Sequence, residues 1–211
     1  MSLNAEQTDL VNRGINAKNP FDIGPCLSVA FNALKNDIFT IVLGYVVMFV
    51  VSALAVCTFL GILILPGLIV GFMRFHLKAV RNQGPSLSDI FDGFDMLSQS
   101  FALFLVHSIL VFIALIPCIL PGIYLAVAWS LAWFYFCDKK YGFWECMEIS
   151  RRVVTANWGW AFLLLIASYI ISYVGLIACI VGVLVSLPLH GLMVAAAYIR
   201  AADTQDDTVN I

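Results

Sequence analysis

Residues 61–75, GILILPGLIVGFMRF, decide the fold because they place a Pro-Gly pair inside a long apolar run. The surrounding residues, 38–73, include no Asp, Glu, Lys or Arg. A helix needs about 20 apolar residues to cross the roughly 30 Å of hydrocarbon in a bilayer. The run is long enough for two crossings, so the Pro-Gly pair predicts a helical hairpin with its turn near Pro66.

Two further uncharged runs, residues 96–137 and 153–199, have the same organisation, and each can hold two membrane-spanning helices. We therefore expect an all-α, polytopic membrane protein of about six transmembrane helices, arranged as three helical hairpins. The breakers in the three runs are Pro66 and Gly67, then Pro117, Pro121 and Gly122, then Pro188 with Gly175, Gly182 and Gly191.

The positions of the turns depend on whether each proline begins the second helix or lies within it. A helix from Pro66 to Arg81 would be only about 24 Å long, which is shorter than the hydrocarbon. Either the second helices begin earlier, near Gly61 and Gly182, and carry the proline as a kink, or the hairpins do not fully cross. We expect kinked helices that cross fully.

The composition agrees with a membrane protein. Hydrophobic residues make up 62% of the 211 residues and charged residues 11%, which leaves too little polar surface for a water-soluble domain of this size. The formal net charge of -2 provides no basic excess for binding nucleic acid.

An internal repeat is suggested by the order of the segments, because a shorter amphipathic segment precedes each hairpin. The expected unit is an interfacial surface helix, a long span, a turn and a second span; the alternative is a chance likeness between apolar segments. One membrane domain, 21–200, then lies between a polar N-terminal segment, 1–20, and a polar C-terminal tail, 201–211. The repeat-like units are residues 21–84, 85–142 and 143–200.

The charges predict the orientation. All 11 Lys and Arg and all 13 Asp and Glu lie in the polar segments, which an even number of crossings returns to one side. By the positive-inside rule this side is cytoplasmic, and both termini lie there. The expected location is the cell membrane, in a bacterium the inner membrane. Cys137 and Cys146 are expected to react with an impermeant thiol reagent from the cytoplasmic side only.

In two of the surface segments, the spacing of the charged residues predicts local structure and side-chain pairs. In PSLSDIFDGFDML, residues 85–97, Ser86 and Asp89 resemble a capping box, and an amphipathic helix is expected. Its apolar face would hold Ile90, Phe91, Phe94 and Leu97, and its polar face Asp89, Asp92 and Asp95. Spacings of three spread these aspartates around a helix, so a solvated or salt-bridged face is expected rather than a metal site. In residues 143–156, Glu148 can reach Arg151 and Arg152.

Arg74, Lys78 and Arg81 form one basic stripe at the end of the second span, because they recur at i, i+4 and i+7. One hypothesis is that the stripe contacts an anionic lipid headgroup or a phosphorylated ligand. The alternative is that it anchors the helix end and pairs with the aspartates of residues 85–97.

The histidines and cysteines show no catalytic or metal pattern, so neither a metal nor another cofactor is expected. Of the three histidines, His107 alone is expected to lie deep in the membrane, where it is either a polar site or a packing residue. The six cysteines include no C-x-x-C pair. Cys57, Cys118 and Cys179 lie toward the uncharged side, and a disulfide among them is left open.

Three stretches together resemble a known family: PSLSDIFDGF, IPCILPGIYLAVAW and EISRRVVTANW. They are similar to a broad group of uncharacterised bacterial integral membrane proteins, which includes the membrane domain attached to some glycerophosphodiester phosphodiesterases. The resemblance covers about residues 27–200. It implies six helices and no assigned chemistry, and the chain contains no phosphodiesterase module, so no catalytic residue is implied.

Three classes of function follow. The first is a non-enzymatic membrane component that interacts with lipids or supports assembly through its cytoplasmic surface helices, with membrane lipids and cytoplasmic proteins as partners. The second is a small-molecule permease or transporter with a site near His107; its weakness is the lack of charged residues at membrane depth. The third is a membrane enzyme acting on lipid, for which no nucleophile and base stand at a convincing spacing. A polar cavity that reaches His107 would favour the second class, and a dry, fully packed bundle would favour the first.

Overall fold

Helices make up all of the regular structure in the computed structural model, which describes residues 3–56, 61–116, 119–177 and 179–203, with backbone alone at 62, 174–177 and 179–185. Two short 3-10 helices, Leu87–Ile90 and Asp92–Met96, are called the 3-10 pair below. The α-helices are α1 Ala5–Asn16, α2 Ile23–Asn36, α3 Ile38–Val56, α4 Gly61–Val80, α5 Leu97–Leu115, α6 Ile119–Ala128, α7 Ala132–Lys139, α8 Phe143–Ala156, α9 Trp158–Ile177 and α10 Cys179–Ala202.

Four helical stretches among the described residues are long and apolar enough to cross a membrane. A fifth candidate is a broken span made of α8 and the first part of α9, which meet at a bend of 98°. The prediction of an all-helical protein with several membrane-type helices is confirmed. The four stretches are Ile38–Val56, Leu63–Val80, Leu87–Leu115 and Ile119–Lys139.

The prolines lie within helices rather than between them. Pro66 is inside α4 and Pro188 is inside α10, so the prediction that these helices begin before their prolines is confirmed. Pro121 lies in the first turn of α6, where backbone N–H groups have no intrahelical partner and proline removes none. Pro117 and the segments 57–60, 117–118 and 178 lie outside the described residues.

Three pairs of helices contact each other in antiparallel order, because the contacting residue numbers rise along one helix and fall along the other. The contacts are Gly44 with Phe75 and Ala55 with Gly61 for α3 and α4, His107 with Trp129 (the residue after α6) and Leu115 with Gly122 for α5 and α6, and Ser168 with His190 and Ser172 with Ser186 for α9 and α10.

Residues 85–97 differ from the predicted amphipathic helix, because they form the 3-10 pair against α4. The capping box is confirmed: the Asp89 carboxylate accepts from the backbone N–H of Ser86 at 2.9 Å. A Cβ at Gly71 of α4 would overlap the carbonyl oxygen of Ile90, so the two backbones touch. This contact buries Ile90 and leaves Phe91 on the surface, 45% exposed, so the prediction of one shared apolar face is wrong.

The N-terminal segment, predicted only as polar, contains α1. Its first turn is closed by a reciprocal capping box between Asn4 and Gln7, with hydrogen bonds of 2.8 and 2.9 Å. Leu10 and Val11 are buried, and Gly14 lies close to Val153 of α8 and to the last turn of α10. The helix therefore packs over the charged end of the bundle.

Candidate functional site

The basic stripe is engaged in ion pairs within the protein. In addition to its ion pair, Arg74 donates a hydrogen bond to the carbonyl oxygen of Asp92 at 2.5 Å. The side chain of Lys78 is 42% exposed. The predicted pairing with the aspartates of residues 85–97 is confirmed for Arg74 and Lys78 and is wrong for Arg81, while contact with an anionic lipid stays a prediction. The ion pairs are Arg74 with Asp95 (3.0 Å), Lys78 with Asp89 (2.6 Å) and Arg81 with Asp138 (2.6 Å).

Arg81 connects the ends of three helices, which the sequence did not predict. Its guanidinium reaches Asp138 of α7 with both ends, at 2.6 and 3.1 Å, and Asp203 after α10 at 2.8 Å. The Tyr198 hydroxyl donates to the same Asp138 carboxylate at 2.8 Å. Because these side chains are largely buried, the network holds the charged ends of α4, α7 and α10 together.

The ion pairs within α8 agree with the prediction from the sequence. Glu148 pairs with Arg151 at 2.8 Å and with Arg152 at 2.7 Å, as predicted. Just before α8, burial and the Glu6 carboxylate raise the pKa of Tyr141 to about 12, so the hydroxyl stays protonated and donates to Glu6 at 2.7 Å. This hydrogen bond ties α1 to the segment that leads into α8.

His107 is not the only histidine that the helices enclose. It packs its ring 5.5 Å from that of Trp129, and its buried Nδ1 has no hydrogen-bond partner among the described residues. His76 is 1% exposed in α4 and His190 faces a cavity from α10, while the depth of each histidine in a membrane stays a prediction. His107 does not line that cavity.

The cavity measures about 630 Å³ and lies between residues of α3, α4, α6, α7, α9 and α10. Most of its wall is apolar or aromatic, which is the usual composition of a small-molecule site. The described residues of this wall include no Asp, Glu, Lys or Arg. The polar residues in the wall are Tyr45, His76, Ser130, Tyr169, Ser172, Tyr173 and His190.

His76 has both ring nitrogens engaged. Its Nδ1 lies 2.6 Å from the carbonyl oxygen of Phe72, which can only accept, so Nδ1 carries the proton. In the neutral ring Nε2 then accepts from the hydroxyl of Tyr45 at 2.6 Å. Gly191 of α10 packs against this pair, where a Cβ would overlap Nε2. The glycine therefore allows α10 to approach α3 and α4.

One of the two ring nitrogens of His190 has no hydrogen-bond partner among the described residues. The Ser168 hydroxyl lies 2.8 Å from the carbonyl of Leu165 and 2.8 Å from Nδ1 of His190. A hydroxyl has one proton and the carbonyl oxygen can only accept, so we assign the proton of Ser168 to Leu165 and make Nδ1 of His190 the donor to Ser168. Nε2 then presents a lone pair, with no hydrogen-bond partner among the described residues. The ring is fixed by stacking on Tyr169 at 4.1 Å.

This serine-histidine contact differs from a nucleophile and its base. A base must accept the proton of the nucleophile, whereas Ser168 directs its proton to the backbone and accepts from His190. No metal site supplements it, because the part of the chain that the structure describes has no group of three His, Cys, Asp or Glu placed to hold an ion.

The cysteines give one correction. Cys137 and Cys146 are buried, so the expectation that they react with an aqueous thiol reagent is wrong: burial prevents access whatever the orientation. The disulfide left open among Cys57, Cys118 and Cys179 involves side chains outside those described.

A second cavity of about 570 Å³ adjoins the first. It lies against α3 and shares Tyr45, Phe72 and Leu187 with the first cavity, so these three residues separate the two spaces. Its remaining wall is formed by Val46, Met48, Phe49 and Ser52.

The chain matches no protein-family model, no curated protein sequence and no solved structure. The resemblance to the group of six-helix bacterial membrane proteins therefore stays a prediction. The functional argument rests on the cavity and its polar groups.

Proposed function

We propose that the chain is an integral membrane protein that crosses the cell membrane six times, as three helical hairpins. The antiparallel contacts within α3 and α4, α5 and α6, and α9 and α10 support this arrangement. A polar segment precedes each pair, namely α2, the 3-10 pair or α8. The same order supports the proposed threefold repeat, in which α2 and α8 lie in the interface.

The charged face is proposed to be cytoplasmic, with both termini on that side. The Arg81 network and the contact of α1 with α8 and α10 support a common side, because they join segments that are distant in sequence. Lys and Arg at this face give the orientation by the positive-inside rule. In a bacterium the membrane would be the inner membrane.

A cysteine at Gln83 tests the orientation, because this residue is exposed just after α4. With Cys57, Cys118 and Cys179 replaced by serine, Gln83→Cys is expected to resist an impermeant maleimide in intact cells and to react after permeabilisation. The matched control is the same background without the new cysteine. Equal labelling of Gln83→Cys in intact and permeabilised cells would contradict the proposed orientation.

The proposed role is non-enzymatic binding of a lipid-soluble molecule in the cavity between the helices. One observation carries it: His190 lines a largely apolar cavity, and its Nε2 has no hydrogen-bond partner in the described part of the chain. Ionisable residues within spans are unfavourable unless they have partners or a function. Trp144 of α8 and Phe31 of α2 are exposed near the charged face, which supports contacts with headgroups or protein partners.

A permease is the alternative that the cavity also favours. Pro66 and Pro188 interrupt the hydrogen bonding of α4 and α10, and both helices contribute a histidine to the wall. Interrupted helices around a central site are a feature of transporters. The proposed transport site lies at His76 and His190 instead of His107. A lipid enzyme is less well supported, because Ser168 is not activated by His190.

Filling the cavity tests the binding role. Ala126 lies in the wall, so Ala126→Trp is expected to displace any bound lipid-soluble molecule. Ile109→Trp is the control, because Ile109 is exposed on α5 and belongs to neither cavity wall. Native mass spectrometry of the purified proteins should find a bound molecule in wild type and Ile109→Trp but not in Ala126→Trp. Equal occupancy in all three proteins would contradict cavity binding.

A further inference from the structure

Three polar atoms in the cavity wall have the same hydrogen-bond character. Nε2 of His190 is an acceptor because Nδ1 carries the proton. Ser172 donates to the carbonyl of Ser168 at 2.8 Å, and Tyr45 donates to His76, so both retain only acceptor capacity for a ligand. These three groups can therefore only accept from a ligand, whereas the hydroxyls of Ser130, Tyr169 and Tyr173 in the same wall can also donate.

The absence of charge in this wall restricts the ligand further. An ionised head group would lose its hydration here and gain no counter-ion, which is strongly unfavourable at low dielectric constant. A phosphate or a carboxylate would also meet three acceptors. An uncharged hydroxyl satisfies both conditions, because it donates one hydrogen bond and carries no charge.

The second cavity provides space for a hydrocarbon tail. It lies on the other side of Tyr45, Phe72 and Leu187 from the first cavity, and its other described wall residues are apolar except for Ser52. Both volumes lie in the range of small-molecule sites. A ligand with its head near His190 can therefore extend its tail toward α3.

The cavity opens toward the side of the bundle that carries exposed apolar residues. Tyr169 and Tyr173 of α9 belong to the wall and are 52% and 63% exposed, and Ile123 of α6 and Ile166 of α9 are also exposed. These residues face the membrane in the six-span arrangement, so a molecule dissolved in the bilayer reaches the cavity laterally.

We propose that the ligand is an uncharged amphiphile with a hydroxyl head group and one hydrocarbon tail. The hydroxyl donates to Nε2 of His190, and the tail passes Tyr45 into the second cavity. This inference rests on the proposed binding function and specifies its ligand class.

A series of probes with one tail tests the head group. Binding of hexadecanol, hexadecyl methyl ether and hexadecyl phosphate is measured on the full chain in lipid nanodiscs, by displacement of a fluorescent long-chain alcohol. Hexadecanol is expected to bind at least about tenfold more tightly than the ether, which cannot donate to His190. The phosphate is expected to bind more weakly than the alcohol. Equal binding of alcohol and ether would overturn the head-group inference and leave cavity binding intact.

Two variants test the position of the ligand. His190→Phe keeps a ring stacked on Tyr169 and removes Nε2, so hexadecanol should no longer bind more tightly than the ether. His107→Phe is the control, and in this variant hexadecanol should still bind more tightly.

Ser52→Phe fills the second cavity and should weaken hexadecanol binding while octanol binding is unchanged. Retention of the advantage in His190→Phe, or equal loss for both tails in Ser52→Phe, would overturn the proposed pose. Binding of no probe by wild type would overturn the binding function itself.

Discussion

Replacing Gly71 with alanine is expected to lower the free energy of unfolding by at least about 3 kcal/mol, at the upper end for overpacking. The new Cβ would overlap the carbonyl oxygen of Ile90, which is backbone and cannot rotate away. A shift of the 3-10 pair away from α4 would stretch the ion pairs of Asp89 with Lys78 and of Asp95 with Arg74. Unfolding by SDS in mixed micelles, followed by tryptophan fluorescence, measures the effect.

Gly159→Ala is the matched control for this substitution. A Cβ at Gly159 of α9 meets nothing within 4 Å, and alanine favours a helix over glycine by about 1 kcal/mol. This variant is expected to be as stable as wild type or more so. A Gly71→Ala protein with wild-type stability would show that the 3-10 pair does not lie against α4.

Replacing Arg81 with methionine is expected to reduce stability by about 3 kcal/mol, because removing one partner of a buried ion pair leaves the other charges uncompensated. Asp138 and Asp203 would lose their shared arginine, and the other described cation within 4 Å of them is Lys139, at 3.4 and 3.5 Å. We expect a loss of stability at the lower end of the range for buried ion pairs, because the Asp203 side chain is partly solvated. The same unfolding measurement applies.

The control for Arg81 is Arg13→Met in α1. Arg13 pairs with Asp9 on the surface at 2.8 Å, and such exposed pairs contribute at most about 1 kcal/mol. A loss for Arg81→Met no larger than that for Arg13→Met would contradict the role of Arg81 in joining α4, α7 and α10.

The sequence predicts the parts of this fold that depend on local periodicity and hydrophobicity. Long uncharged runs predict membrane-type helices, and the short distance from Pro66 to Arg81 correctly predicts that α4 begins before its proline. The pairing of Glu148 with Arg151 and Arg152 also follows from spacing along one helix. In each case the decisive contact lies within about one helical turn or within one apolar run.

The cavity could not be predicted in the same way, because its residues come from six helices. The pattern identifies His76 and His190 as polar residues near or within apolar runs, but it does not show that Tyr45 and Ser168 lie beside them. The 3-10 pair was also missed, because its shape depends on the backbone of α4 at Gly71. Arg81 and Asp138 are 57 residues apart, so no local spacing shows that they pair.

Photocrosslinking tests most directly whether the cavity binds a lipid-soluble molecule. The protein in nanodiscs is irradiated with a long-chain alcohol that carries a diazirine in its tail, and the modified peptides are mapped by mass spectrometry. Crosslinks are expected at the cavity walls of α3, α9 and α10, and excess hexadecanol should suppress them. Crosslinks confined to outward-facing residues such as Phe39 and Phe112, unaffected by competitor, would contradict the account.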